Sequence, residues 1–192
     1  MKVFGDTRSG NCLKVKYVAE RLGIAYDWQE VDVMSGYTRT PEFLALNPAG
    51  QIPLVEFEDG RLLSQSNAIM LYLARGSELV PEDPWHAAKM HEWLFWEQYS
   101  HEPSIAVVRF MRALKNMPDE EIPAALVSKG NAALELMEAH LGDRAFFVAE
   151  RLSLADIALF AYTQFAADGG FSLAARPQVT AWLDRVRNAL GI

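Results

Sequence analysis

Two spacings of apolar residues run through the first 75 residues of the chain. Residues 2–5 and 26–33 are predicted strands, whereas residues 11–22 between them have the spacing of a helix that ends at Gly23. A strand, a helix and a strand in this order predict two parallel strands joined by a right-handed crossover.

Four further elements are predicted before residue 76. Pro41 suits the first turn of a short helix over residues 40–46. Residues 54–57 and 61–63 are predicted strands joined by the Asp59-Gly60 turn, and Ser66 is expected to cap a helix over residues 67–75. The order β-α-β-α-β-β-α predicts an α/β domain over residues 1–76.

The rest of the chain has no strand pattern. Residues 76–84, GSELVPEDP, have the composition of a linker. Helices are predicted over residues 85–114, kinked or broken at Pro103, and over residues 119–141, 153–165 and 177–190. We therefore expect an all-α domain over residues 84–192.

Composition narrows the classes of function. The 192 residues carry 18 Lys/Arg and 25 Asp/Glu, and this acidic balance argues against a nucleic-acid footprint. No apolar run reaches the roughly 20 residues of a membrane span. The start MKVFGD lacks the features of a signal peptide, and a single cysteine allows no internal disulfide, so we expect a cytoplasmic protein. The four histidines show no metal-ligand spacing, and we expect no metal.

The most specific segment is NPAGQIP, residues 47–53, which stands directly before an apolar strand. Pro53 has no N–H to donate, so the backbone N–H and C=O of Ile52 are expected to stay outside the sheet and to clamp another peptide. The helix after Ser66 has N-terminal amides that attract a carboxylate. Together these features predict a small, anionic, peptide-like ligand. We also expect a cis Ile52–Pro53 bond that turns Ile52 outward.

With the opening VFGDTRSGNC, residues 3–12, and SLAD, residues 153–156, these segments resemble the cytosolic glutathione S-transferase superfamily. The resemblance extends over essentially the whole chain and is closest to bacterial, theta-, beta- and phi-like members. It implies an N-terminal thioredoxin-like α/β domain that binds glutathione, and an all-α C-terminal helical domain with a hydrophobic substrate cleft. It also implies a cytoplasmic homodimer that acts in detoxification, with glutathione as co-substrate and no metal.

Three residues near the start of the first helix are candidates for activating the glutathione thiol. Ser9 opens a Ser-x-x-Cys stretch as in theta-like members, and its hydroxyl is placed to donate to an anionic sulfur. Cys12 matches a cysteine of beta-class bacterial members that forms mixed disulfides, although its spacing to Val15 and Val18 is that of a buried face. Asn11 matches an amide donor of another bacterial class, mainly as a helper to Ser9.

The resemblance also assigns residues to the other parts of glutathione. They fall into a pair for the γ-glutamyl end, a clamp for the cysteinyl part and a basic residue for the glycine carboxylate. In that order they are Gln65 and Ser66, then Gln51, Ile52 and Pro53, and finally Arg39.

The predicted helical part of the chain has two further features. The aromatic-rich segment of residues 93–110 has apolar residues on more than one side, and Tyr99, His101 and Arg109 are its candidate cleft residues for the electrophile. Ser153-x-x-Asp156 is a capping box with a structural role. Replacing Asp156 by alanine is expected to cost about 1 kcal/mol of stability or somewhat more.

These inferences predict a glutathione transferase that conjugates the glutathione thiolate to small apolar electrophiles held between the two domains. One alternative is a glutathione-dependent disulfide or peroxide reductase, which would rely on Asn11 or Cys12. The other is a non-enzymatic ligand-binding module, which would bind glutathione without lowering the pKa of its thiol.

Overall fold

Four short strands form a mixed sheet of order β2-β1-β3-β4, with β1 (Lys2–Gly5), β2 (Asp27–Glu30), β3 (Leu54–Glu56) and β4 (Leu62–Ser64). β1 and β2 are parallel, and β3 is antiparallel to both β1 and β4. The structure, a computed structural model, describes the chain from Met1 to Ile192. Its contacts divide the chain into two units, Met1–Ser77 and Glu78–Ile192, and the sheet belongs to the first.

Helices cover both faces of this sheet. Alternate residues of a strand point to opposite faces, and Val55 packs with Val3, Val15 and Ile69 on the side of α1 (Gly10–Arg21) and α3 (Ser66–Leu73). Its neighbour Leu54 packs with Val31 and Phe43 on the side of α2 (Pro41–Leu46). The predicted α/β, thioredoxin-like arrangement of the first part of the chain is confirmed.

The ends of several predicted elements differ from those observed. The strand predicted over residues 26–33 is only Asp27–Glu30. The predicted cap of α3 was wrong by one residue, because Gln65 is the N-cap and Ser66 already belongs to the helix. The backbone of Gln65 has a positive φ of 72°, which turns the chain into the helix one residue earlier than the sequence indicates.

The second unit contains five helices: α4 (Pro84–Trp96), α5 (Glu102–Arg109), α6 (Ala124–His140), α7 (Leu154–Thr163) and α8 (Pro177–Leu190). All ten residues of α7 are buried, and this helix contacts α4, α5 and α8. The predicted all-α character is confirmed. No helix in the structure has the length and apolar character that crossing a bilayer requires.

The long helix predicted over residues 85–114 is not broken at Pro103. Its winding continues from α4 to α5 through one widened turn of π-helix, Glu97–His101, and a second such turn, Phe110–Leu114, follows α5. A proline inside a helix removes a hydrogen bond and crowds the preceding turn, and a widened turn relieves that crowding. Pro123 affects the fold more than Pro103 does. The helix predicted to begin at Asp119 begins only after Pro123, as α6.

Candidate active site

The sheet register brings the predicted glutathione residues of the first unit to one edge. Phe4 pairs with Leu54, and Leu54 pairs with Ser64, so β1 and β4 end where β3 begins. The segment carrying Ser9 leaves this edge after β1, Ile52 enters it before β3, and Gln65 leaves it after β4. Three stretches that are distant in sequence therefore meet at the same place.

A buried carboxylate fixes the loop between β1 and α1. Asp6 is fully buried, and its carboxylate accepts hydrogen bonds from the Arg8 side chain at 2.7 and 2.9 Å, from the Arg8 backbone at 2.9 Å and from the Val33 backbone at 3.2 Å. Burial alone would raise the pKa of Asp6, but these hydrogen bonds from Arg8 and Val33 hold it below its ordinary value. The loop that carries Ser9 is thus anchored from within the first unit.

Ser9 occupies the N-cap position of α1, but its side chain does not form the hydrogen bond of a helix cap. Its backbone is extended, with φ −88° and ψ 119°, and its hydroxyl caps none of the helix amides. The Ser9 backbone is held independently of the side chain, because its N–H donates to the Asp6 carbonyl at 2.9 Å and its carbonyl accepts from Leu13 at 3.0 Å. The hydroxyl is therefore not committed to the helix end.

Cys12 lies in the core and is fully buried. Burial raises the pKa of its thiol to about 12, and hydrogen bonds from the Asp6 backbone and the Ser9 side chain oppose this rise only in part. Among the three thiol-activating candidates, Cys12 is the one whose surroundings disfavour an anionic sulfur.

Replacing Cys12 by alanine is expected to lower the free energy of unfolding by about 1 kcal/mol, because a small packed group is removed from the core. Turnover should stay within about threefold, since a thiol with a raised pKa supplies little nucleophile at neutral pH. Chemical denaturation and steady-state kinetics measure the two effects. A large loss of turnover at unchanged stability would contradict the core assignment.

The side chain of Asn11 links the starts of α1 and α3. Its Oδ1 accepts a hydrogen bond from Ser66 Oγ at 3.0 Å and another from Lys14 Nζ at 2.8 Å. Ser66 is buried, Asn11 is half-buried, and Lys14 is completely buried. Two residues predicted for the site are thus directly bonded, and a lysine that was not predicted holds the same amide.

The NPAGQIP loop is organised by its first residue. The side-chain amide of Asn47 donates to the Gln51 carbonyl at 2.7 Å and accepts from the Ala49 N–H at 3.2 Å. Gly50 has a φ of +60°, and a Cβ there would lie 2.8 Å from the carbonyl oxygen of Thr38, so only glycine fits.

Ile52 has the free backbone that the sequence predicts. Its N–H and C=O take part neither in the sheet ladder, which starts at Leu54, nor in the turn bonds of the loop. The Ile52–Pro53 bond is cis, as predicted. Gln51 is exposed and Pro53 is buried. The loop therefore presents one residue's pair of backbone groups for bonding.

Gln65 and Arg39 lie on the surface of the first unit. Gln65 is exposed, and a non-glycine residue with φ of 72° is strained by about 1–3 kcal/mol, a cost that proteins tend to keep at functional positions. The guanidinium of Arg39 donates to the carbonyl of Ala49 at 3.2 Å and so borders the NPAGQIP loop. Arg39 is exposed as well.

The candidate cleft residues of the second unit have three different environments. Tyr99 is 87% exposed and lines a groove of about 550 Å³ beside α6, together with Trp96, Pro103 and Leu136. His101 is fully buried, with its Nε2 2.9 Å from Thr163 Oγ1.

Arg109 is also buried; it pairs with Asp168 at 3.3 Å and covers the ring of Phe165. The structure does not bring Tyr99, His101 and Arg109 together, and only Tyr99 lines the groove.

Asp156 accepts hydrogen bonds from four buried donors. One carboxylate oxygen accepts from the Phe147 N–H at 2.9 Å and Trp182 Nε1 at 3.0 Å, and the other accepts from the Ser153 N–H at 3.0 Å and Oγ at 2.8 Å. Burial raises the pKa of Asp156 to about 6 although the four donors lower it. The capping box is present, and its carboxylate also binds the segment before α7 and a side chain of α8.

Comparison with known proteins assigns the chain. A family model described as "Glutathione S-transferase, N-terminal domain" matches residues 8–75, and one described as "Glutathione S-transferase, C-terminal domain" matches residues 94–189. The chain belongs to the glutathione S-transferase family. This confirms the resemblance inferred from the sequence, and the family is one of enzymes that transfer groups to glutathione.

Individual relatives agree with this assignment over nearly the whole chain. Glutathione S-transferase 3 of Zea mays is 31% identical over 97% of this chain and 88% of its own length. Human glutathione S-transferase theta-2 is 28% identical over 100% of this chain and 82% of its own length. A crystal structure of a glutathione S-transferase from Pseudomonas fluorescens superposes with a TM-score of 0.94 at 47% identity, covering 97% of this chain and 94% of the other.

Sequence reasoning missed three residues of this glutathione S-transferase that shape the site edge. Asn47 was visible as the first letter of NPAGQIP, but nothing in the pattern indicated that its side chain would close the loop. Asp6 stands directly after a strand, where a polar residue is ordinary. Lys14 carried the clearest signal, because a lysine on the buried side of an amphipathic helix is exceptional.

Proposed function

We propose that this chain binds glutathione at the sheet edge formed by Ser9, Ile52 and Gln65, and conjugates its thiolate to small apolar electrophiles. The observation that carries the proposal is the meeting of three features there. They are a hydroxyl at a helix start that caps no helix amide, an unpaired backbone N–H and C=O, and a strained glutamine. Membership of the glutathione S-transferase family supports transfer to glutathione as the type of reaction.

Each part of glutathione has a proposed partner. The N–H and C=O of Ile52 bond the cysteinyl residue in extended form, with Gln51 and Pro53 shaping the clamp. Gln65 and the N-terminal amides of α3, which starts at Ser66, hold the γ-glutamyl carboxylate. Arg39 attracts the glycine carboxylate by its charge.

Ser9 lowers the pKa of the bound thiol by donating its hydroxyl to the sulfur. A free thiol with a pKa of about 8.5 is mostly protonated at neutral pH, and lowering the pKa by two units takes about 2.7 kcal/mol of preferential thiolate stabilisation. A charge-assisted hydrogen bond contributes about 1.5–3 kcal/mol, and the N-terminus of α1 adds to it.

In the proposed reaction the thiol first loses its proton to solvent. The thiolate sulfur then forms a bond to the electrophilic carbon, and the leaving group departs with the electron pair of the broken bond. For the electrophile we propose the apolar groove lined by Tyr99, whereas the other two predicted cleft residues, His101 and Arg109, are buried and do not line it. The homodimer and the cytoplasmic location remain part of the proposal.

The reductase alternative gains no support from Cys12, because its thiol is buried and has a raised pKa. The ligand-binding alternative is decided by experiment. We expect an ultraviolet titration of glutathione on the purified protein to give a thiol pKa about two units below that of free glutathione. S-methylglutathione, which has no thiol, provides the blank.

Turnover of a nitro-substituted aryl halide, compared with that of an organic hydroperoxide, separates conjugation from peroxide reduction. Binding with an unchanged thiol pKa and no turnover would instead identify a non-enzymatic module.

A further inference from the structure

Lys14 has a setting that few lysines have. It belongs to α1, it is fully buried, and its sequence neighbours Leu13 and Val15 are buried too. Burying an ammonium group in a protein interior is costly unless hydrogen bonds compensate for the lost water. The position of this side chain therefore calls for a role that an apolar residue could not fill.

The bond between Lys14 and Asn11 fixes the orientation of an amide. The ammonium has only donors, so the Asn11 atom that faces it at 2.8 Å must be the oxygen and not the nitrogen. The same oxygen accepts the Ser66 hydroxyl at 3.0 Å. With Oδ1 held by two donors, Nδ2 forms the opposite end of the planar amide, turned away from Lys14.

Asn11 stands two residues after Ser9 at the start of α1, on the sheet edge proposed to bind glutathione. We propose that Lys14 is a positioning residue, which holds the Asn11 amide so that Nδ2 donates to the glutathione sulfur as a second donor beside Ser9. This inference rests on the proposed function. Lys14 itself touches neither substrate and acts through Asn11.

The ammonium also strengthens the donor that it positions. A positive charge at the amide oxygen draws electron density from the amide nitrogen, because hydrogen bonds in a chain polarise one another. The alternative is a purely structural tie, in which Lys14 and Ser66 use Asn11 only to join α1 to α3. The two roles differ in their effect on the thiol of the ligand.

Lys14→Met tests the proposal, because methionine keeps the length and removes the donors. We expect the pKa of bound glutathione to rise by about one unit. Turnover near neutral pH should fall by up to about tenfold and recover as the pH increases, while KM for glutathione changes less than about threefold. Lys16→Met is the matched control on the same helix, since Lys16 pairs with Glu20 and should leave the thiol pKa unchanged.

A double-mutant cycle shows whether Lys14 acts through Asn11. Asn11→Leu alone should raise the thiol pKa by a similar amount, and adding Lys14→Met to it should raise the pKa no further. Additive shifts would overturn the proposal, because they would mean that Lys14 acts independently of the amide. An unchanged thiol pKa in a folded Lys14→Met variant would overturn it as well.

The wild-type protein provides a test that does not depend on the folding of any variant. The side-chain NH₂ resonances of Asn11 should shift with pH in step with the thiol of bound glutathione and should stay fixed with S-methylglutathione. If these resonances do not shift when the thiol ionises, the inference is overturned and the proposed function is left intact. Wild-type protein that binds no glutathione contradicts the proposed function and removes the inference with it.

Discussion

Replacing Asp156 by alanine is expected to lower the free energy of unfolding by about 3–5 kcal/mol. The carboxylate is completely buried and accepts hydrogen bonds from Phe147, Trp182 and twice from Ser153. Alanine leaves these donors without a partner in a place that water does not reach, and each unmade bond of this kind costs about 1–3 kcal/mol. Because the structure around residue 156 can relax in part, the total cost should be smaller than the sum of the costs of the four lost bonds. Urea denaturation followed by circular dichroism measures the loss.

Two controls make this result specific to the buried bonds. Asp156→Asn keeps one acceptor oxygen and should cost less than alanine. Asp184→Ala removes a carboxylate from the exposed face of α8, where an ion pair with Arg187 contributes little, and should change stability by less than about 0.5 kcal/mol. Equal stability of the Asp156→Ala and Asp184→Ala variants would contradict the role given to Asp156.

The pH dependence of stability gives an independent readout of the same group. The pKa of Asp156 is raised from 3.8 to about 6, so between these values the native state holds a proton that the unfolded chain has released. The contribution of Asp156 to the free energy of unfolding therefore falls as the pH rises from about 4 to about 6. Asp156→Asn does not titrate and should lack this part of the slope.

The case of Asp156 shows how far the sequence carries a prediction. The pattern Ser-x-x-Asp before an apolar helix identifies a capping box, and such a box alone predicts a cost of about 1 kcal/mol. The bonds to Phe147 and Trp182 involve residues 9 and 26 positions away in the chain. No local pattern contains them, and they raise the expected cost severalfold.

For the fold as well, the local sequence pattern predicted some features correctly and others incorrectly. Periodicity predicted the order of all strands and helices, and α8 has the predicted bounds because Pro177 and Gly191 mark its ends. The start of α3 was misplaced because the positive φ of Gln65 has no signature in a non-glycine residue. β1 has the predicted bounds, whereas β2 and β3 were predicted too long, since apolar residues such as Val31 and Phe57 follow the observed strands.

In the candidate site, too, some features could be predicted from the local sequence and others could not. The NPAGQIP segment predicted the unpaired backbone of Ile52, because a proline at a strand start has a fixed consequence. Rotation of the helix that carries Tyr99, His101 and Arg109 could not be predicted. The π-helical turn at Glu97–His101 changes the angle between successive residues, so regular helical spacing does not give the directions of the side chains that follow it.

Ser9→Ala is expected to reduce turnover near neutral pH by about tenfold to a hundredfold. The variant loses a charge-assisted hydrogen bond to the thiolate, worth roughly 1.5–3 kcal/mol, so the pKa of bound glutathione should rise by one to two units. Glutathione affinity should change little, because Ile52, Gln65 and Ser66 remain in place. Stability should change little as well, because the Ser9 hydroxyl makes no capping bond, its hydrogen bond to the Cys12 thiol is a weak one, and its backbone is held by Asp6.

The pH profile distinguishes this role from a merely structural one. If Ser9 lowers the thiol pKa, the activity of Ser9→Ala should recover partly as the pH rises and the thiol ionises without help, and Ser9→Thr, which keeps a hydroxyl, should retain most of the activity. An active Ser9→Ala together with stoichiometric glutathionylation of Cys12 by oxidised glutathione would reverse the assignment. Such a result would require Cys12 to leave the buried position in which its thiol has a pKa of about 12, and mass spectrometry of the intact protein would detect the mixed disulfide directly.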